Sequence, residues 1–290
     1  MRFIVLGSSG MLGSELSRVA NEAGLEVLEI SRSGSIRFDA ASQRFTDFSK
    51  QIRIEEDDFL VNAVGWIPQK SSGNASRDAE SAHLLNTELI EDISRASAEI
   101  GFRWLQIGTD CVYSGDRGGY SEDSEKDAKD LYGASKISGE RYCSEALLVR
   151  CSIIGPEYNS TFGLYSWFKS ASKSGTVKGF QNHIWNGVTT NVFAKLAVGL
   201  SQSDLRSCNQ HFVPNSQVSK FELLRLFAEG LNLPKRVVEP FAAPEPVNRT
   251  LRTLNQDQNL RLWKLAGYDL IPDIDLFVRE MIQVDSERGA

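Results

Sequence analysis

The fold is decided by the stretch Phe3-Ile-Val-Leu-Gly-Ser-Ser-Gly-Met-Leu-Gly13, in which four apolar residues run directly into three glycines. A short apolar run followed by glycines and then by apolar residues at helical spacing predicts a buried strand that turns into a helix. In such a turn Gly7 permits the sharp bend, Gly10 lets the backbone approach a pyrophosphate, and Gly13 lets helix and strand pack closely. The unpaired N–H groups at the helix start favour a bound anion. The candidate cofactor contacts in this stretch are Gly7, Ser9, Gly10, Met11, Leu12 and Gly13.

Glycines at this spacing also occur in ordinary turns, and the pattern of the residues that follow decides between the two interpretations. Apolar runs of strand length alternate with helix-period stretches through the first half of the chain, which is typical of a parallel sheet covered by helices. Strands are predicted at residues 3–6, 27–30, 59–63, 104–107 and 147–150. We therefore predict an α/β fold, a Rossmann-like doubly wound parallel sheet with a smaller C-terminal substrate-binding subdomain.

The composition and periodicity of the sequence change after Ser152. Gly, Ser, Asn and aromatic residues become frequent over residues 155–190, and regular alternation fades. Helical periodicity and turn residues predict three helices, at 191–203, 218–231 and 275–284, and a loop at 240–246. These signals predict an NAD(P)-binding domain over 1–152, with 181–207 packing back on it, and a mainly substrate-binding subdomain over 153–290.

Composition narrows the classes of function. The chain has 290 residues, of which 41% are hydrophobic, and a formal charge of -6, so it suits a globular protein and offers no basic stripe for nucleic acid. No apolar run approaches the ~20 residues that span a bilayer. The four cysteines show no metal-ligand spacing with the histidines. We expect a cytoplasmic protein with reduced thiols, without a metal and without nucleic-acid or membrane partners, and the sequence leaves a homodimer open.

The predicted second strand ends in Ser31-Arg32, where many dinucleotide-binding proteins have an acid that holds the adenosine ribose. A carboxylate there would repel a 2′-phosphate, whereas Arg32 offers a guanidinium that can pair with one, and Ser31 adds a hydroxyl. A loop arginine beside a serine is the alternative. Asp39 is expected against the adenine end, where it does not replace the missing acid. The pair therefore favours NADP(H) over NAD(H) as the cofactor.

The stretch Tyr132-Gly-Ala-Ser-Lys136 supplies candidate catalytic residues. Their i, i+4 spacing puts both side chains on one helix face, so we expect the Lys136 ammonium to lower the pKa of Tyr132 and make the phenol a usable general acid for a carbonyl. Upstream, Thr109 follows a predicted strand at the sheet edge where ligands bind, and its hydroxyl can bond the same substrate oxygen. The alternatives are a surface Tyr–Lys pair and a threonine that bonds only backbone.

The ordered set of glycine turn, Thr109 and Tyr132-x-x-x-Lys136 resembles the extended short-chain dehydrogenase/reductases. Within that branch, residues 109–115, 130–140 and 148–152 resemble three sequence blocks of the dTDP-4-dehydrorhamnose reductase family. The resemblance implies hydride transfer from a reduced nicotinamide to the 4-keto group of a nucleotide-linked deoxysugar, with Tyr132 protonating the oxygen.

The same resemblance implies further cofactor contacts after the middle strand. It implies that Ala63, Val64 and Gly65 line the cofactor and that Asn86 is the helix asparagine of the superfamily's proton relay. Asn86, Tyr132 and Lys136 are also expected to contact the cofactor. A helix–helix hydrogen bond is the alternative role for Asn86.

Two positions depart from the family pattern, and both fall in the expected sugar pocket. Ile153 stands where the family has the tryptophan that lies against the sugar, and Cys111 stands where it has a tyrosine. Gln181 and Trp185 offer a replacement surface, or else belong to a loop on which an exposed aromatic packs. Arg249 suits a diphosphate, because a guanidinium can bind it with two hydrogen bonds; a solvated arginine is the alternative. The candidate substrate contacts are Thr109, Asp110, Ile153, Gln181, Trp185 and Arg249.

Two other functions fit part of the pattern. A sugar-nucleotide epimerase or dehydratase of the same fold usually shows an acid at the end of the second strand, which is missing here, and a dehydratase has a glutamate at the position of Cys111. A catalytically silent NADP-binding regulatory subunit is the other alternative, since one relative of these reductases serves as the binding partner of a synthetase. The intact Thr109, Tyr132 and Lys136 favour the reductase.

Overall fold

A computed structural model describes residues 1–158 and 162–288. In this part of the chain the strands, numbered in chain order, are β1 Phe3–Leu6, β2 Val27–Ser31, β3 Ile36–Arg37, β4 Phe59–Asn62, β5 Arg103–Gly108, β6 Leu147–Arg150, β7 Ile153–Ile154, β8 Val177–Phe180, β9 His183–Trp185, β10 Val188–Thr189, β11 Cys208–His211, β12 Val218–Ser219, β13 Val238–Phe241 and β14 Val247–Asn248. The α-helices are α1 Met11–Glu22, α2 Phe45–Gln51, α3 Ala75–His83, α4 Leu89–Ile100, α5 Leu131–Glu140, α6 Leu164–Ala171, α7 Thr190–Ser201, α8 Lys220–Gly230, α9 Gln256–Leu265 and α10 Ile274–Arg288. A π-helical turn covers Leu84–Glu88, and 3-10 segments cover Pro68–Lys70, Asp110–Val112 and Lys235–Val237.

Seven parallel strands form the central sheet, in the order β11-β6-β5-β4-β1-β2-β3. The chain runs outward from β1 to β3, then returns to the other side of β1 and runs outward again from β4. The strand order therefore reverses between β1 and β4, and ligands of open parallel sheets bind at the carboxyl ends of strands beside such a reversal. Gly7, Arg32, Ala63 and Thr109 each follow a strand at this edge.

Both faces of the central sheet are buried, which explains why its strands are continuously apolar. Phe3 and Val5 point into a core cluster shared with α1 and α7, whereas Ile4 and Leu6 point into a second cluster shared with α2 and α4. The alternation along β1 thus anchors helices on each side of the sheet.

The residues after β6 build a second group of short sheets, in which β7 pairs β10, β8 pairs β13, and β9 lies between β12 and β14. Tyr165 of α6, Phe227 of α8 and Met281 of α10 belong to the same core cluster as Phe3 and Val5. In addition, α7 packs against α1, and β11 extends the central sheet beside β6. The division of the chain into two domains at residue 152 stays a prediction.

The predicted fold class and all five predicted strands are confirmed, with ends that differ by at most one residue. The helices predicted over 191–203 and 218–231 correspond to α7 and α8, and α10 is longer than the predicted 275–284. The loop prediction is wrong for Pro240 and Phe241, which extend β13 because it pairs with β8. None of the helices in the described ranges is long and apolar enough to cross a membrane.

Candidate active site

The glycine turn joins β1 to α1 and leaves the start of α1 open. Gly7 has a φ of +95°, a left-handed conformation that residues with a Cβ rarely adopt. A Cβ on Gly13 would stand 2.0 Å from the carbonyl oxygen of Gly7, so the turn and the helix approach as only glycine permits. No side chain caps the N-terminus of α1. Its first N–H groups therefore remain for a ligand, and this turn fits the pyrophosphate of a dinucleotide.

A cavity of about 420 Å³ opens at the ends of β1, β2 and β4, and we call it the adenosine-side cavity. Ser31, Arg32 and Asp39 line it together with the glycine turn. Ser31 is buried, whereas Arg32 is exposed at the rim. The Asp39 carboxylate accepts a hydrogen bond from the Ala41 N–H at 3.1 Å and thereby closes its own turn. The structure thus brings these three predicted residues to one cavity.

A second cavity of about 480 Å³ continues from the first, and we call it the catalytic cavity. Residues that line both cavities are Ser9, Gly10, Ala63, Val64, Gly65 and Lys70. Met11 and Leu12 of the glycine turn form one part of the catalytic cavity, and Thr109, Tyr132 and Lys136 form another. Three motifs that are far apart in the sequence therefore face one space.

Helix α5 carries both Tyr132 and Lys136, and Asp130 is its N-cap, since the Asp130 carboxylate accepts a hydrogen bond from the Gly133 N–H at 3.0 Å. The Lys136 Nζ lies 5.9 Å from the centroid of the Tyr132 ring. Burial raises the pKa of Tyr132, and a hydrogen bond with Thr109 opposes the rise only in part. Burial lowers the pKa of Lys136 to about 8.

The pKa of Tyr132 is therefore raised, whereas the sequence led us to expect a lowered value. Burial of the phenol is the main cause, and the negative charges of Asp110 and Asp130 add to it. A contribution of Lys136 that lowers the pKa of Tyr132 stays a prediction. The phenol stays protonated at neutral pH, which is the form that a general acid needs.

Thr109 follows β5 and has two roles. Its hydroxyl caps the 3-10 segment that follows, because Oγ1 accepts a hydrogen bond from the Cys111 N–H at 3.2 Å, and it also donates to the Asp110 carboxylate at 3.3 Å. Thr109 therefore caps the 3-10 segment, and it also lines the catalytic cavity beside Tyr132. Burial raises the pKa of Asp110, and the charge of Arg249 opposes the rise.

Asn86 is fully buried in the π-helical turn. Its side chain accepts a hydrogen bond from the Trp66 N–H at 3.0 Å and donates to the Trp66 carbonyl at 3.1 Å and the Ser135 hydroxyl at 2.9 Å. The amide therefore joins the π-helical turn to α5 and to the loop after β4, as in the alternative role. A Cβ on Gly65 would stand 3.0 Å from both the Asn86 Oδ1 and the Lys136 Nζ. Participation of Asn86 in a proton relay stays a prediction.

Two cations act on the residues that follow Thr109, Arg249 through a hydrogen bond and Lys220 through its charge. Arg249 donates from Nε to the Tyr113 carbonyl at 3.0 Å. Lys220, the first residue of α8, is half-buried, and burial lowers its pKa while the charge of Asp110 raises it and that of Arg249 lowers it. Arg249 was among the predicted substrate contacts. Lys220 was missed, because no motif marks it and its helix lies far along the chain.

The remaining predicted substrate residues lie in the short sheets. Ile153 pairs with Val188 between β7 and β10. Trp185 is buried, and its indole N–H donates to the Ser152 hydroxyl at 2.9 Å, whereas Gln181 is exposed in the turn after β8. Trp185 therefore packs in the core within β9, so it is not the exposed loop aromatic of the alternative, and its buried indole leaves little surface for a sugar. The assignment of these residues to a substrate stays a prediction.

Several residues that line the cavities were not predicted from the sequence, among them Lys70, Tyr158 and Phe162. Lys70, in the 3-10 segment after β4, lines both cavities, and Tyr158 and Phe162 line the catalytic cavity. Tyr158 is held by Arg288, whose Nη1 donates to its hydroxyl at 2.6 Å. The position of Lys70, five residues after Gly65 in the turn that follows β4, was the available sequence signal.

The described residues contain no group of three or more His, Cys, Asp or Glu side chains suited to a metal ion. The buried Glu15 of α1 is instead bound by cations and an amide, since its carboxylate lies 2.5 Å from Arg18, 3.0 Å from Arg288 and 3.0 Å from Asn191.

The family identified by sequence comparison is consistent with this geometry. The model of the family described as RmlD substrate binding domain matches residues 1–284. The chain belongs to this RmlD family. A dTDP-4-dehydrorhamnose reductase of Mycobacterium tuberculosis is 24% identical over 276 residues, which cover 92% of this chain and 87% of the relative. A methionine adenosyltransferase 2 subunit beta of Xenopus tropicalis is 24% identical over 272 residues, which cover 88% and 79%.

The RmlD fold is also seen in a solved structure. The crystal structure of a dTDP-4-dehydrorhamnose reductase from Bacillus anthracis in complex with NADP has a TM-score of 0.79 and 19% sequence identity, with 98% of this chain and 99% of that chain covered. This likeness shows the fold, and the match of the family model to residues 1–284 confirms the family resemblance that the motifs indicated.

Proposed function

We propose that this protein is an NADP(H)-dependent reductase that transfers a hydride to the 4-keto group of a nucleotide-linked deoxysugar. The observation that carries the proposal is the catalytic cavity, which brings the glycine turn together with Thr109, Tyr132 and Lys136. The compared proteins support the proposal. The relatives of this chain include dTDP-4-dehydrorhamnose reductases, and one similar solved structure is a complex with NADP.

The chain divides the work of holding the cofactor between backbone and side chains. The uncapped start of α1 and the turn at Gly7 would hold the pyrophosphate, and Arg32 at the rim of the adenosine-side cavity would pair with the 2′-phosphate. When bound, the reduced nicotinamide supplies the hydride. NAD(H) lacks the group that Arg32 would recognise, so it is the less suitable cofactor.

Proton transfer is the task of Tyr132. Its protonated phenol gives the proton to the carbonyl oxygen as the hydride reaches the carbon, so that the ketone becomes an alcohol. Thr109, which lines the same cavity, would donate a hydrogen bond to that oxygen, and the Lys136 ammonium would stabilise the phenolate that remains.

The cations Lys220 and Arg249 suit the diphosphate of a nucleotide sugar. The charge of Arg249 acts on Asp110, which directly follows Thr109, and the charge of Asp110 acts on Lys220, so we infer that an anion bound by both cations would lie near the reacting sugar. The choice of sugar depends on the side chains around it. Two of these positions, Ile153 and Cys111, are occupied by aromatic residues in the family pattern, so the preferred sugar is expected to depend on this difference.

The test is net oxidation of NADPH, followed by absorbance, with a panel of nucleotide-linked 4-keto sugars. The wild-type chain is expected to oxidise NADPH with at least one sugar of the panel. In Tyr132→Phe the turnover should fall by about 10²–10⁴-fold, because the general acid is lost, while NADPH still binds. Unchanged turnover in this variant would contradict the proposed role of Tyr132.

A second candidate function is supported by relatives of another kind, the subunits beta of methionine adenosyltransferase 2. A catalytically silent, NADP-binding subunit would bind NADPH and oxidise it with none of the sugars. Isomerised sugar without net oxidation would instead indicate an epimerase. The same panel therefore separates the three functions.

A further inference from the structure

Glu140, the last residue of α5, lies one helical turn after Lys136 and on the same face of the helix. Its carboxylate is buried and forms a two-point contact with Arg150 of β6, in which Nε lies 3.1 Å from Oε1 and Nη2 lies 2.7 Å from Oε2. The Lys126 Nζ lies 2.5 Å from the same Oε2. Burial alone would raise the pKa of Glu140, but Arg150 and Lys126 outweigh it and hold the pKa below its ordinary value, so the carboxylate is ionised.

Arg150 is fixed in place by a buried histidine. Its Nη1 lies 2.7 Å from the His211 Nε2, and the His211 Nδ1 lies 2.9 Å from the Arg252 carbonyl oxygen. Since an arginine only donates, Nε2 accepts and the Nδ1–H donates to the carbonyl. Burial and the charge of Arg150 lower the pKa of His211 to about 4. His211 is therefore neutral at physiological pH, and the charge balance at Glu140 is set by Arg150 and Lys126.

The groups that face Lys136 come from three places. Glu140 and Tyr132 lie on its own helix, and Cys143 follows the helix; Cys111 lies on the 3-10 segment after β5; and Asn86 lies on the π-helical turn. Burial raises the pKa of both cysteines to about 12, so neither carries a charge at neutral pH. Among the acidic groups that act on Lys136 in the described part of the chain, Glu140 is the one that is ionised.

From this arrangement we propose that Glu140 is a positioning residue that holds Lys136 in its ammonium form, and that Lys126 and Arg150 set how much of the carboxylate charge reaches it. The catalytic importance of this effect rests on the proposed reductase function, in which the ammonium stabilises the Tyr132 phenolate. The effect on Lys136 itself is independent of any substrate. Because Arg150 is fully buried and Lys126 is 26% exposed, Lys126 is the counter-cation that can be removed with less damage to the core.

Two substitutions should shift the protonation of Lys136 in opposite directions. Glu140→Gln removes the negative charge and leaves Arg150 and Lys126 uncompensated, so Lys136 should release its proton at lower pH, by about one pH unit. Lys126→Met removes a cation and frees more of the Glu140 charge, so Lys136 should release its proton at higher pH. A merely structural role for Glu140 predicts neither shift.

The measurement is an NMR titration of the Lys136 Nζ in protein labelled at lysine, with NADPH and sugar absent and with Lys136→Met to assign the signal. Glu145→Gln, which removes a charge from an exposed residue just after α5, is the control and should leave the midpoint unchanged. In an active enzyme, the alkaline limb of kcat/KM should move with the midpoint in each variant.

The proposal is overturned if the midpoint stays unchanged in both variants or moves in the same direction in both. If Glu140→Gln does not fold, Lys126→Met alone decides, and a midpoint that fails to rise contradicts the proposal. Because the titration needs no sugar, a failure of the reductase function would appear only in the turnover assay and would be distinguishable from a failure of this proposal.

Discussion

The helix that begins at the glycine turn, on the cofactor side of the cavities, differs from the helices that begin beside Tyr132, on the catalytic side, in how its N-terminus is capped. On the cofactor side, α1 starts without a side-chain cap, so its first N–H groups stay available to a ligand. On the catalytic side, Asp130 caps α5 and Thr109 caps the 3-10 segment after β5. The backbone is thus the binding element on one side. On the other side the backbone is satisfied internally, and the side chains of Tyr132 and Lys136 are left for chemistry.

The largest effect that would test this difference is expected from Gly13→Ala. The added Cβ would stand 2.0 Å from the Gly7 carbonyl oxygen and 2.9 Å from the Ser8 Cα, so the backbone has to shift. We expect a loss of about 1–3 kcal/mol in the free energy of unfolding, together with loss of NADPH binding. Urea unfolding and a fluorescence titration with NADPH measure the two effects.

Gly10→Ala is the matched control. A Cβ on Gly10 would meet only the Gly7 carbonyl oxygen, at 3.4 Å, and the φ of -80° suits any residue. Stability should therefore stay close to wild type, while the methyl group keeps the pyrophosphate from the backbone and weakens NADPH binding. Equal losses of stability in the two variants would show that the turn is not divided into a packing glycine and a binding glycine.

The same contrast explains what the sequence could predict. The cofactor side was predictable because its strand, glycines and helix start follow one another within Phe3–Glu22, and because local spacing reports local structure. The i, i+4 spacing of Tyr132 and Lys136 in α5 could also be predicted from the sequence. The direction of the pKa shift of Tyr132 could not be predicted, because it depends on burial by residues from several elements.

Elements stabilised by distant partners were also missed. The strand Cys208–His211 has little apolar character, yet it extends the central sheet beside β6. Its polar side chains are paired at long range: Gln210 donates to the Thr253 hydroxyl at 2.6 Å, and His211 bonds Arg150. Lys70 likewise lines both cavities because of the fold and not because of a local motif.

On the catalytic side, the next largest effect is expected from Lys220→Met. If Lys220 binds the substrate diphosphate as proposed, its removal should raise the KM for the nucleotide sugar by about 10–100-fold, with kcat and the KM for NADPH nearly unchanged. Arg225→Met is the control, because Arg225 is an exposed cation on the same helix, α8. Initial rates at varied sugar and varied NADPH distinguish the two constants.

Two results would count against this assignment. A KM for the sugar that equals the wild-type value would remove Lys220 from the substrate site. A similar rise in Arg225→Met would show that the general positive charge of the helix, and not a contact by Lys220, governs substrate binding.

The smallest effect is expected from Arg32→Ala on the cofactor side, because Arg32 is exposed and water screens its charge. Here a side chain supplements a site that the backbone builds, so the variant should still bind cofactor but lose about tenfold in affinity for NADPH relative to NADH. Arg37→Ala is the matched control, since Arg37 is exposed on the neighbouring β3 and does not line the adenosine-side cavity. Titration of each variant with both nucleotides gives the ratio. The preference for the 2′-phosphate does not come from Arg32 if Arg32→Ala keeps the wild-type ratio, or if Arg37→Ala changes the ratio as much. In that case Lys70, the cation that lines both cavities, is the next candidate for this role.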